Sequence, residues 1–116
     1  MGQEQGKEVV TTCTRRASSF FKEGKYTEAE TLFWRAFKVS ENTQGKEDLV
    51  TVIALGNLAR FYQAKKIYVF AEFLYQRALQ LAEVKFNFIP ASTKQILVNY
   101  KQFLKEAGRE NDAAEA

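Results

Sequence analysis

The stretch Gly56–Glu83, GNLARFYQAKKIYVFAEFLYQRALQLAE, repeats Thr14–Glu41, TRRASSFFKEGKYTEAETLFWRAFKVSE, in one constant register and without a gap. Ala17, Tyr26, Ala29, Glu30, Leu32, Arg35, Ala36 and Glu41 return as Ala59, Tyr68, Ala71, Glu72, Leu74, Arg77, Ala78 and Glu83. These are eight identities in 28 aligned pairs, where ordinary residue frequencies give about two by chance. Phe20 against Tyr62 and Phe33 against Tyr75 keep an aromatic ring in place. Self-similarity at such a period marks a chain built by stacking one supersecondary unit on its copy.

Each unit reads as two helices. Ile53, Leu55, Leu58, Ala59 and Tyr62 form one apolar stripe at helical spacing, and Ala71, Leu74, Tyr75, Ala78 and Leu81 form another. Gln63 to Lys66 is the polar break between them, matched by Lys22 to Lys25, where Gly24 suits a helix C-terminus. Asn42–Glu47 and Lys85–Ile89 divide one unit from the next, and Pro90 suits the first turn of a new helix. The expected helices lie near 8–23, 27–41, 47–64, 68–84 and 90–107. The fold class is all-α, an α-solenoid of stacked antiparallel helix pairs with about two and a half units. One domain covers 1–116, with a first repeat at about 8–41, a second at about 47–84, a capping helix at about 90–107 and a polar tail at 108–116.

The pattern resembles the tetratricopeptide repeat. The 42-residue period exceeds the usual unit of about 34 residues and is similar to the longer repeat of kinesin light chains. The segment Ala54–Glu83 resembles the pattern LNNLAxLYxxxGxYxxAExLYxRALxIxE, and Gly24–Glu41 is similar to its second half. The resemblance spans residues 12–107 and implies a protein-interaction fold whose first helices line a concave groove. It does not specify a partner, because such repeats serve many.

Packing physics points the same way. Ala17, Ala59, Ala29, Ala71, Ala36 and Ala78 fall where paired helices cross, and small side chains let helix axes approach. Phe20, Tyr62, Phe33 and Tyr75 are expected to fill the space beside them. Lys101 stands one full period after Ala59, so the last helix is expected to lack a closely crossing partner and to cap the array with a polar outer side. The polar remainder then reads as the end of the array.

The composition leaves little room for catalysis. The chain has no His, which removes Ser-His-Asp and Cys-His activation and His-ligated metals. Its six glycines form no phosphate cradle. Neither an enzyme, a cofactor nor a metal is therefore expected. Cys13, the single cysteine, takes the register position of Leu55 and Leu97 and reads as a buried structural thiol. A lone cysteine fits a reducing compartment. Met1 to Val10 lacks a signal-peptide core, no apolar run is long enough to span a bilayer, and Gly6 stands where myristoylation needs Ser or Thr. A cytoplasmic protein with no membrane contact is expected.

Two surfaces are candidate binding sites. The resemblance places Asn57 at an asparagine that clamps a peptide backbone in related repeats, and Asn99 lies one period later. A carboxamide can donate to a carbonyl and accept from an N–H at once. Arg15 replaces this asparagine in the first unit and suits an acidic group. Lys22, Ile53, Arg60, Gln63, Gln95 and Gln102 are expected on the same concave side, although an ordinary solvated face would also be polar. The second surface is Ile67, Val69, Phe70 and Phe73, whose counterparts one repeat earlier are Lys25, Thr27, Glu28 and Thr31. The fold does not require apolar residues there, so they mark either an interface or a site covered by Phe86 and Phe88 or by the N-terminal helix.

Peptide binding by an adaptor is the leading functional reading, and self-association as a homodimeric scaffold is the second. RNA binding is third. The 17 basic and 14 acidic residues are interspersed and the net charge is only +3, and no base-reading code repeats with the units, so nucleic acid is the weakest candidate.

Overall fold

The first helix starts five residues before its apolar stripe predicts. In the computed structural model, which describes residues 2–86 and 93–109, α1 runs Gln3–Lys22. Tertiary contact accounts for the extra turn. Gly6 is buried, and its Cα faces the Thr43 side chain. The Gln44 side chain also donates to the Gln3 carbonyl at 2.7 Å. The remaining helices are α2 (Tyr26–Thr43), α3 (Leu49–Ala64), α4 (Tyr68–Phe86) and α5 (Lys94–Glu106), with no strand among the described residues.

Helix α3 begins two residues later than expected because Asp48 caps it, accepting from the Val50 N–H at 2.9 Å. Helix α5 runs from Lys94 with Thr93 before it. The expected break at Lys85–Ile89 begins inside α4, which runs to Phe86; residues 87–89, Pro90 itself and the tail from residue 110 lie outside the described residues.

Helices α1 and α2 form one antiparallel pair and α3 and α4 the next, with α2 against α3 and α5 against both α3 and α4. The all-α solenoid of stacked helix pairs is thus the observed architecture. The molecule measures 44 × 37 × 20 Å, and its short dimension is the depth of two helix layers. Helices α1, α3 and α5 form one layer, and α2 and α4 form the other.

Close approach at the crossings rests on the six repeated alanines. Ala17, Ala29, Ala59, Ala71 and Ala78 are fully buried and Ala36 nearly so. Phe33, Tyr62 and Tyr75 are buried beside them, whereas Phe20 is half-buried with the Arg16 guanidinium and the Lys25 ammonium over its ring. Cys13 is buried and packs with Val10 and Ala36. Between the repeats, the Ser40 and Thr51 hydroxyls meet at 2.7 Å, and Thr51 donates to the Gly45 carbonyl at 2.6 Å. This closes the polar groups of the connection, as burial demands.

The same turn ends α1, α3 and α5. In each, an N–H just past the helix reaches back across the last turn, Lys25 to the Phe20 carbonyl, Ile67 to Tyr62 and Arg109 to Leu104, at 2.8, 2.9 and 2.7 Å. The residue before each of these N–H groups is left-handed, with Gly24 at φ 79°, Lys66 at 62° and Gly108 at 75°. The three positions follow one another at the repeat period. Gly108 and Arg109, expected in the polar tail, therefore complete the third copy of the repeat's turn, and Arg109 pairs with Glu72 on α4.

Candidate functional site

Helical periodicity arranges the expected groove residues in three parallel stripes. Arg15 and Lys22 are two turns apart on α1, Ile53, Asn57 and Arg60 share a face of α3, and Gln95, Asn99 and Gln102 share one of α5. These helices form one layer, so the stripes run side by side.

Two adjoining clefts open between these helices. The first is lined by Ser18, Phe21, Lys22, Phe33, Asn57, Arg60, Phe61 and Ala64. Its floor is aromatic. Phe61 is buried, with the Phe21 ring edge-on to it at 5.8 Å and Phe33 tilted at 5.9 Å. Its rim carries the cations Lys22 and Arg60, and no carboxylate lines it among the described residues. Asn57 is half-buried, and no hydrogen bond to a described side chain occupies its carboxamide. A pocket with an aromatic floor, an amide that no described side chain engages and two cations can take an apolar side chain, one backbone peptide group and an anionic group together.

The second cleft, lined by Arg60, Gln63, Ala64, Asn99, Gln102 and Glu106, shares Arg60 and Ala64 with the first. Gln63 differs from the expectation of a free groove residue. It is buried, and its Oε1 accepts from the Tyr75 hydroxyl at 2.6 Å, which ties its carboxamide to α4. Burial raises the Tyr75 phenol well above its ordinary pKa, the nearby Arg60 charge opposes the rise, and Glu106 adds to it. Asn99 Oδ1 accepts from Gln95 Nε2 at 2.9 Å, one turn away. Arg15, Ile53 and Gln95 lie on the stripes but line neither cleft.

The second expected surface is divided by the fold. Phe70 is half-buried, stacked on Trp34 at 6.3 Å and edge-on to Tyr62 at 4.7 Å. Phe73 is 60% exposed, Val69 87% and Ile67 46%. Phe70 and Phe73 line an open cleft with Trp34, Phe37, Leu74 and Leu81 between α2 and α4, whereas Ile67 stands in the turn. The N-terminal helix packs against α2 and leaves Phe73 and Val69 open. The side chain of Phe86 and all of Phe88 lie outside the described residues.

Sequence reading passed over the aromatic floor of the first cleft. Phe21 and Phe61 have no aromatic counterpart in the other repeat, so the repeat comparison hides them. A usable signal was present, since Phe21 follows Ser18 by three residues and Phe61 follows Asn57 by four, which puts each on the groove stripe.

Comparison with known families gives one result that bears on this arrangement. The tetratricopeptide repeat family matches residues 9–83. No curated protein matches the chain. No described helix is long and apolar enough to cross a membrane.

Proposed function

Because the chain belongs to the tetratricopeptide repeat family, whose repeats generally mediate protein–protein interaction, we propose that it is an adaptor holding an extended peptide of a partner protein in its concave groove. The observation that carries this reading is the first cleft, where Asn57, Lys22 and Arg60 converge above Phe21, Phe33 and Phe61. Asn57 clamps one peptide unit of the ligand, and the two cations take an acidic side chain or terminus next to it. The second cleft receives the following residues through Asn99 and Gln102. Arg15 lies upstream on the α1 stripe and meets an acidic group only in a ligand long enough to pass beyond the cleft. The 42-residue period supports assigning the repeats to the kinesin light chain type. The lone buried cysteine supports a cytoplasmic adaptor.

Selection of a displayed library of unstructured peptides on the intact protein tests the proposal. Selected peptides are expected to be enriched in acidic residues beside an apolar one. Asn57→Ala should weaken them by about 0.5–1.5 kcal/mol, and Lys22→Glu with Arg60→Glu should weaken them further, with helical content unchanged. Peptides that bind both variants as well as the parent would sink the groove reading.

A further inference from the structure

One position of the repeat gives the groove a charge order. Lys22, Ala64 and Glu106 follow one another at the 42-residue period. They are the last residues of α1, α3 and α5, each just ahead of the shared turn. The fold therefore holds them at equivalent places on three neighbouring helices. Lys22 lines the first cleft, Glu106 lines the second, and Ala64 lines both. One turn earlier the same period gives Ser18, Arg60 and Gln102, and Arg60 again lines both clefts. Positive charge thus gathers over α1 and α3, and negative charge over the end of α5.

Helix stability does not account for Glu106. A helix C-terminus favours a cation and disfavours a carboxylate, so Lys22 suits its place and Glu106 does not. Neither Glu106 nor Arg60 takes part in an ion pair among the described residues. The helix that carries Glu106 is firmly seated. A Cβ on Gly56 would lie 2.8 Å from the Ile96 side chain, so the glycine lets α5 close on α3. Phe103 and Leu104 are buried, and Arg109 ties the end of α5 to Glu72.

Building on the peptide-groove reading above, we propose that the groove selects peptides by charge order, with Glu106 as a specificity-determining residue. An acidic residue of the peptide is held at Lys22 and Arg60, and a basic residue is held at Glu106. Ala64, between the two, leaves the peptide room to pass from one cleft to the next. Side-by-side helices lie on the order of 10 Å apart, so α1 to α5 is roughly 20 Å. An extended chain covers that span in about six residues, which sets the expected spacing of the acidic and basic residues. A peptide with acidic residues at both places meets Glu106 repulsively and is rejected.

Parallel selection of a displayed library of unstructured peptides on the intact protein and on its Glu106→Lys variant tests the proposal. Peptides selected on the parent are expected to pair an acidic residue with a basic one. Those selected on Glu106→Lys should carry an acidic residue in place of the basic one. For a synthetic parent-selected peptide, Glu in place of its basic residue should weaken binding about three- to tenfold. Glu106→Lys should restore that binding at unchanged helical content. Lys22→Glu should weaken the acidic preference and leave the basic one. Peptides that lose affinity on Asn57→Ala but ignore Glu106→Lys overturn the charge order and leave the groove reading standing. Equal tightening of every acidic peptide by Glu106→Gln, whether or not it carries the basic residue, also overturns it, because Glu106 then only damps Arg60. A library that yields no binder, or only binders indifferent to Asn57→Ala, removes the groove reading and the charge order with it.

Discussion

Lys66 adopts the left-handed backbone conformation that Gly24 adopts one repeat earlier and Gly108 adopts one repeat later. A side chain with a Cβ resists this region, because Cβ crowds the following carbonyl. The Lys66 N–H donates to the Gln63 carbonyl at 2.9 Å, so the turn holds the strained residue in place. Lys66→Gly should relieve the strain and stabilise the protein by about 0.5–1 kcal/mol, partly offset by the greater backbone freedom of glycine in the unfolded chain. Urea denaturation checks this. The reverse substitution, Gly24→Lys, should destabilise by a similar amount, and equal stabilities in all three proteins would remove the argument.

Tyr62 joins the two helices of different repeats through polar contacts. The Trp34 indole N–H donates to the Tyr62 oxygen at 2.8 Å, and the Tyr62 hydroxyl donates to Glu30. Tyr62→Phe leaves the indole N–H without its acceptor and should cost about 1–2 kcal/mol. Trp34 is the single tryptophan, so its emission reports the change directly.

Alkali should unfold the protein through buried phenols. Burial raises the pKa of Tyr62 and Tyr75 above the ordinary 10.0, with hydrogen bonding to Glu30 adding to the rise at Tyr62. The folded state then holds protons that the unfolded chain releases. The associated stability is complete below pH 10 and is lost as pH rises above it. Denaturant midpoints should be flat through neutral pH and fall steeply above about pH 10. Tyr75→Phe should lower stability at neutral pH but flatten the alkaline fall.

Gly6 illustrates a glycine chosen for space. A Cβ there would lie 2.6 Å from the Thr43 Cβ, although Gly→Ala within a helix ordinarily gains about 1 kcal/mol. The steric term should win, because Cβ atoms cannot swing aside. Gly6→Ala is expected to lower stability by about 1–3 kcal/mol and to fray the first turn of α1, seen as faster amide exchange over Gln3–Lys7.

Ala59 and Lys101 occupy the same repeat position and should respond differently to one substitution. Ala59 is fully buried at a crossing, so Ala59→Leu should destabilise by about 1–3 kcal/mol through overpacking. Lys101 is half-buried on α5, and Lys101→Leu should be mild. Thermal melts of both variants provide the comparison, and an equal large loss would show that α5 has a tightly crossing partner.

Residue spacing alone specified the helices, their 42-residue period, the six alanines at the crossings and the stripes that carry Asn57, Asn99 and Arg60. These properties are legible along one chain, since a helix turns through a fixed angle per residue. What each stripe meets depends on how the helices pack. Phe21 and Phe61 come together as a floor because α1 and α3 lie side by side, and neither residue repeats. Gln63 turns its carbonyl oxygen inward because Tyr75 on α4 brings a buried hydroxyl to it. Phe70 folds against Trp34 while Phe73 stays open, although both belong to one apolar run. Helix α1 gains its first turn from Thr43 and Gln44 on its neighbour. Partners of this kind depend on the offset and rotation between packed helices, which core packing sets and no single segment encodes.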